Sequence, residues 1–143
     1  MILEDFDNDG DLDLYIVSGG NEFEPDTPIL KDRLYVNLGQ GILKYSDSSL
    51  PNNYSSGMRV SSADFDNDGD LDLFVGGRVV PGMYPVPAKS YLLVNQSNNN
   101  EIIFSNATKE EFSNNDLGLI TSSVWTDYNN DNWIDLIVVG EWT

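Results

Sequence analysis

Apolar and polar residues come in short pieces along this chain, and the pieces recur. Apolar runs at 14–17, 73–75 and 136–139 each lead into glycine within two residues. A Pro-rich stretch follows the first two, holding Pro25 and Pro28, then Pro81, Pro85 and Pro87. Leu34-Tyr35-Val36-Asn37 then matches Leu92-Leu93-Val94-Asn95, and a Gly- or Asn-rich turn and a short apolar piece (42–45, 102–104) close each unit. Segments 58–63 and 121–126, rich in Val, Ser and Thr, precede the second and third runs. Each unit reads as four short strands separated by turn signals. The second strand is apolar on consecutive residues, which predicts burial on both faces, as for an inner strand held between neighbouring sheets. Helical periodicity is almost absent. Only residues 108–112 could make a helical turn, and a loop reads equally well there.

Charge sharpens the repeat. Of 17 Asp, 13 fall in three nine-residue windows that start at Asp5, Asp64 and Asp127, 59 and then 63 residues apart. The windows read DFDNDGDLD, DFDNDGDLD and DYNNDNWID. Concentration of acid at a fixed period marks a repeat architecture. Radially stacked four-stranded sheets make a β-propeller. The expected fold is therefore all-β: about two and a half propeller blades of a larger propeller. Blade one covers about 1–50 with its first strand truncated, blade two about 57–107, and blade three about 119–143 with only its first two strands.

The window chemistry points to a metal. Side chains at positions 1, 3, 5 and 9 of such a loop converge, position 7 can lend its carbonyl, and position 6 must turn sharply. Gly10 and Gly69 are expected at positive φ there, and Asn132 can take the same conformation. Two carboxylates about 4 Å apart repel by about 4 kcal/mol at an effective dielectric near 20. Four together cannot stay compact and ionised without a cation. An all-oxygen shell of about six or seven ligands favours Ca²⁺ over Mg²⁺ or soft metals. These are not EF-hands, because position 12 is Ile16, Val75 or Val138 rather than Glu. A solvated acidic hairpin turn is the alternative reading of any single window. Leu12, Leu71 and Ile134 at position 8 are expected to anchor the loops to the core.

At this point the chain resembles a family. Asp-rich loops of the form DxDxDGxxD, followed by an apolar strand and Gly, are similar to FG-GAP or VCBS repeats, the calcium-binding blades of integrin-α-like seven-bladed propellers. The stretch from Ser61 through Val75-Gly76-Gly77-Arg78-Val79-Val80-Pro81-Gly82 to Tyr91-Leu92-Leu93-Val94-Asn95 is also similar to bacterial secreted proteins of the cartilage-acidic-protein type. The resemblance implies metal ligands at Asp5, Asp7, Asp9 and Asp13 with the carbonyl of Asp11. It implies the same at Asp64, Asp66, Asp68 and Asp72 with the carbonyl of Asp70. Window three departs at Asn129 and Asn132. There the corresponding set is Asp127, Asn129, Asp131, Asp135 and the carbonyl of Trp133.

Composition excludes several functions. Only 7 Lys and Arg stand against 24 Asp and Glu, for a net charge of −17, so nucleic acid and anionic membrane surfaces are unsuitable partners. With no Cys and no His, thiol nucleophiles, disulfides, imidazole ligands and Ser-His-Asp catalysis are ruled out. No apolar run is long enough to cross a bilayer as a helix. Residues 1–5 lack the basic and apolar regions of a signal peptide, so any export signal is expected outside this chain.

Two long Pro-rich loops, 20–32 and 77–89, are expected on the face opposite the metal loops. They carry Glu22, Phe23, Glu24, Arg78, Met83 and Tyr84, which suit protein or glycan contacts, although the prolines and tyrosine could instead pack each loop on its neighbour. Trp125, Trp133 and Trp142 are expected to fill wedges between sheets. Asn53, Asn95 and Asn106 begin glycosylation-type triplets, which a chain with 16 Asn produces by chance. The leading expectation is a Ca²⁺-stabilised interaction module of a secreted or cell-surface protein, without catalysis, holding two or three ions. Its partner would be an extracellular protein or glycan, with the remaining blades or further copies of the chain completing the fold. The alternative is the propeller part of a polysaccharide-degrading enzyme, which needs a carboxylate pair outside the loops. The remaining acids show no paired spacing.

Overall fold

A computed structural model describes residues 1–98, 101–108 and 117–141. Strands β1 (Ile2–Glu4), β2 (Asp13–Ile16), β3 (Arg33–Asn37) and β4 (Leu43–Ser46) form one antiparallel sheet in that order. Strands β5 (Gly57–Ala63), β6 (Asp72–Gly77), β7 (Tyr91–Asn95) and β8 (Phe104–Asn106) form a second with the same order and sense. Strands β9 (Leu119–Thr126) and β10 (Asp135–Glu141) form a hairpin. Among the described residues the only helical piece is a 3₁₀ turn at Pro28–Leu30. The all-β class and the four-stranded antiparallel sheets are thus those the repeat predicts. Residues 109–112 of the possible helical turn, and Trp142, lie outside the described residues.

Strand periodicity settles what each sheet face touches. Successive side chains point to opposite faces. Tyr15, Leu34 and the partly buried Ile2, Val17 and Val36 share one face of the first sheet. They meet Val60, Leu73, Val75, Leu93 and Tyr91 on the facing side of the second sheet, in one core with Phe6, Leu50, Ile102 and Phe104. Each fully buried Leu or Phe there is worth about 1.5–3 kcal/mol. The other face of the second sheet meets β9. There Phe74 is fully buried, Ser61 and Ser123 share a 2.8 Å hydroxyl hydrogen bond, and Phe65 stacks on Trp125. The second sheet therefore lies between the other two.

This order explains why the three second strands differ. All six residues of β6 are buried, β2 alternates between buried and half-buried, and β10 alternates between half-buried and exposed. The expectation of two buried faces holds only for the sheet that has a neighbour on each side. Two apolar expectations need correction for a related reason. Leu12 is half-exposed, and Trp133 is 56 % exposed rather than wedged between sheets. The first loop is pinned instead by Phe6 at position 2, whose ring meets Phe104 edge-on at 5.3 Å. Leu71 does pack against the core.

Candidate metal centres

Each Asp-rich loop joins the first two strands of its sheet, and all three loops repeat one hydrogen-bond scheme. The position-1 carboxylate accepts from the backbone N–H groups of positions 5 and 6. Asp5 takes those of Asp9 (3.1 Å) and Gly10 (2.9 Å), Asp64 those of Asp68 and Gly69, and Asp127 those of Asp131 and Asn132. The position-5 carboxylate accepts from the N–H of position 7 in every loop, as Asp9 does from Asp11 at 2.8 Å. The turn needs left-handed backbone at position 6, met by Gly10 (φ 94°), Gly69 (φ 97°) and Asn132 (φ 69°). It needs it at position 4 too, where Asn8, Asn67 and Asn130 all stand near φ 60°. Asn occupies position 4 in all three windows, a signal that sequence reasoning missed.

Position 9 has a second role that the sequence reading also lacks. The Asp13 carboxylate accepts from Phe6 N–H (3.0 Å) and from Asn37 N–H on β3 (2.8 Å). Asp72 does the same with Phe65 (3.2 Å) and Asn95 (2.8 Å). Each ties its loop to the third strand of its own sheet. Asn37 and Asn95 answer by donating to the carbonyls of Leu12 and Leu71. The repeated Val-Asn ending of the third strand was the available signal.

The loops bring carboxylates together in two places. Oxygens of Asp5, Asp7 and Asp13 lie within 4.8 Å of one another, and so do those of Asp64, Asp66 and Asp72. Positions 1, 3 and 9 thus converge. Asp9 and Asp68, at position 5, are outside both groups, and each accepts from the backbone N–H of position 7. Among the described residues the third loop gathers no such trio. Its Asn129 amide turns onto Asp131 (2.9 Å), and Asp131 N–H returns to Asn129 Oδ1.

Electrostatics at the two trios favours a cation. Burial, then the charges of Asp9 and Asp5, raise the Asp7 carboxyl above its ordinary value. Lost hydration and then Asp68 do the same to Asp66. Burial pushes Asp72 up to about 6, with Asp66 and Asp68 adding to it against two backbone donors, and burial likewise raises Asp13. One atom tests the fit directly. Oδ1 of Asp7 is buried and has no hydrogen-bond partner among the described residues, which normally costs about 1–3 kcal/mol. A bound cation would satisfy it. The donors are all oxygen, the set that hard divalent cations such as Ca²⁺ take.

On the opposite face, the loops at 20–32 and 77–89 are tied by Gly82 N–H to Asn21 Oδ1 at 2.8 Å. Pro25, Tyr54, Val80, Pro87 and Tyr91 line a groove between them, while Met83 and Tyr84 are exposed.

Residues 5–75 match the family model described as FG-GAP-like repeat. Comparison with curated proteins and with solved structures gave no match.

Proposed function

We propose that the chain, whose residues 5–75 match an FG-GAP-like repeat, is a calcium-binding, propeller-type interaction module of a secreted or cell-surface protein. Its ions would brace the loops at one end of each sheet, leaving the opposite face for a protein or glycan. The observation that carries the reading is the pair of carboxylate trios, Asp5/Asp7/Asp13 and Asp64/Asp66/Asp72, with the unpartnered buried oxygen of Asp7 in the first. Asp5, Asp7 and Asp13 would hold one ion and Asp64, Asp66 and Asp72 the other. The ion supplies positive charge that offsets carboxylate repulsion. The chain's own contribution is to hold those carboxylates in place through the backbone donors of positions 5 and 6 and of the third strand. Affinity of about 10⁻⁴ to 10⁻³ M, usual for extracellular modules, leaves such sites empty at cytosolic calcium and filled outside cells.

Thermal unfolding in calcium and in EDTA tests this. An ion that binds only the folded loops stabilises by mass action, about 1.4 kcal/mol per site at ten times its dissociation constant. The melting temperature should rise with calcium, and Asp7→Ala and Asp66→Ala should each remove about half of the rise. Coincident curves in calcium and EDTA would end the reading.

A further inference from the structure

The two carboxylate trios belong to different sheets, yet three buried hydrogen bonds connect them. Phe6 N–H donates to Asp13 of the first trio at 3.0 Å. The Phe6 carbonyl accepts from the Asn95 side-chain amide at 2.9 Å. The Asn95 backbone N–H donates to Asp72 of the second trio at 2.8 Å. Asn95, the most accessible of these four residues, is 2 % exposed, so solvent does not compete for the bonds. An Asn amide has two hydrogens, and the other one of Asn95 goes to the Leu71 carbonyl at 3.2 Å. One side chain thus ties position 2 of the first loop to position 8 of the second. A further bond joins the loops at the surface, from Asn8 Nδ2 to Asp70 at 2.9 Å. There water can replace either partner.

Taking the trios as cation sites, as above, we propose that the Phe6–Asn95 link couples them, so that an ion in one strengthens binding in the other. Each ion must hold its position-9 carboxylate still. An ion on Asp13 steadies Phe6, Phe6 steadies the Asn95 amide, and Asn95 presents a donor to Asp72. The second ion then has less left to order, and ordering by itself carries positive cooperativity. Charge works the other way, because two bound cations repel. Packed sheets stand about 10 Å apart, beyond the Debye length of about 8 Å at physiological ionic strength, so that repulsion is screened. The buried hydrogen bonds are not.

The test is amide-resolved NMR of the metal-stripped chain titrated with calcium chloride. Gly10 N–H donates to Asp5 and Gly69 N–H to Asp64, so the two glycines report the two sites separately. The loops are identical over all nine residues, which makes their own affinities alike. With a coupling of about tenfold, inside the usual range of about 5–150-fold, two like sites half-fill at about one third of the calcium that either needs by itself. Asp7 and Asp66 lie outside the link, so replacing either empties a site and leaves the link in place. Asp7→Ala should raise the Gly69 midpoint about threefold, and Asp66→Ala the Gly10 midpoint likewise. Charge predicts the opposite sign. Filling a site adds two positive charges and Asp7→Ala removes one negative, so the empty variant site is the more negative and would favour the second ion. Asn95→Ala touches no carboxylate of the first trio. It should still raise the Gly10 midpoint about threefold, and adding Asp66→Ala should raise it no further. Asn8→Gly, at an exposed position with φ 60°, should leave the coupling as it is. If Asn95→Ala does not fold, the Asp7 and Asp66 variants decide. Midpoints that stay put or fall in both of these overturn the coupling and leave both cation sites standing. An undiminished effect of Asp66→Ala in the Asn95→Ala background overturns the assignment to Asn95. Gly10 and Gly69 signals that ignore calcium overturn the calcium reading and the coupling with it.

Discussion

Asp32 shows how much one buried carboxyl can depend on its sheet. It accepts from Tyr15 OH and from Ser18 N–H, each at 2.6 Å, and burial raises its pKa to about 6. At the matching place in the second sheet stands Ser90, which accepts from Gly77 N–H, with Phe74 in place of Tyr15. The tyrosine and the carboxylate thus occur together in one sheet and are absent together from the next. The folded Asp32 carboxyl holds its proton more tightly than the unfolded chain's, whose value is near 3.8. Its contribution to stability is therefore complete below about 3.8 and lost as pH rises through about 6. Asp32→Asn should remove that loss. The stability difference, wild type minus variant, should fall by about 1–3 kcal/mol between pH 4 and pH 7, a pKa unit being worth about 1.4 kcal/mol. Urea unfolding at several pH values reads it, and a difference that stays flat would show Asp32 solvated in solution. Nothing in the sequence marked this acid, because its partner lies 17 residues away. By contrast, the left-handed positions Gly10, Gly69 and Asn132 were legible, since backbone sterics decide them locally.

At the scale of elements, the position-9 Asp fastens each loop to its sheet. Asp72 is fully buried and satisfies two backbone donors, whereas Asp135 is half-buried and, among the described residues, accepts from Tyr128 alone. Asp72→Ala leaves two N–H groups unpaired, at about 1–3 kcal/mol each. It should cost about 2–5 kcal/mol by denaturant melts in EDTA, and Asp135→Ala distinctly less. Equal losses would mean that the bridge to β7 carries no weight. Glycine in β6 is fixed by the crossing chain rather than by φ. A Cβ on Gly77 would run into the carbonyls of Ala88 and Lys89, and one on Gly76 would lie 2.6 Å from Ile120 Cγ2. Gly77→Ala should therefore destabilise by about 1–3 kcal/mol, as overpacking does. A neutral Gly77→Ala would show that the loop after β6 can yield. The strands themselves were legible from alternation and turn residues. Their burial was not, because it depends on which sheet has neighbours. Phe6 is hard to pick out as an anchor because acids flank it, and only the second sheet's Phe104 makes it one.

For the whole molecule, the same unit is used three times with graded completeness. The two full loops gather three carboxylates each, while the third, with Asn129 at its third position, folds its side chains onto one another. The sequence showed where acid concentrates and that oxygen donors alone were available. It did not show that positions 1, 3 and 9 form the tight trio while position 5 stands just outside it, because the three-dimensional course of the loop sets those distances. The central claim is that these two trios are cation sites, and calorimetric titration of calcium into metal-stripped protein tests it most directly. At least two equivalents should bind. Asp7→Ala and Asp66→Ala should each remove one, whereas Asn129→Ala, in the loop that gathers no trio, should remove neither. No heat of binding at millimolar calcium, with the chain folded by circular dichroism, would contradict the account.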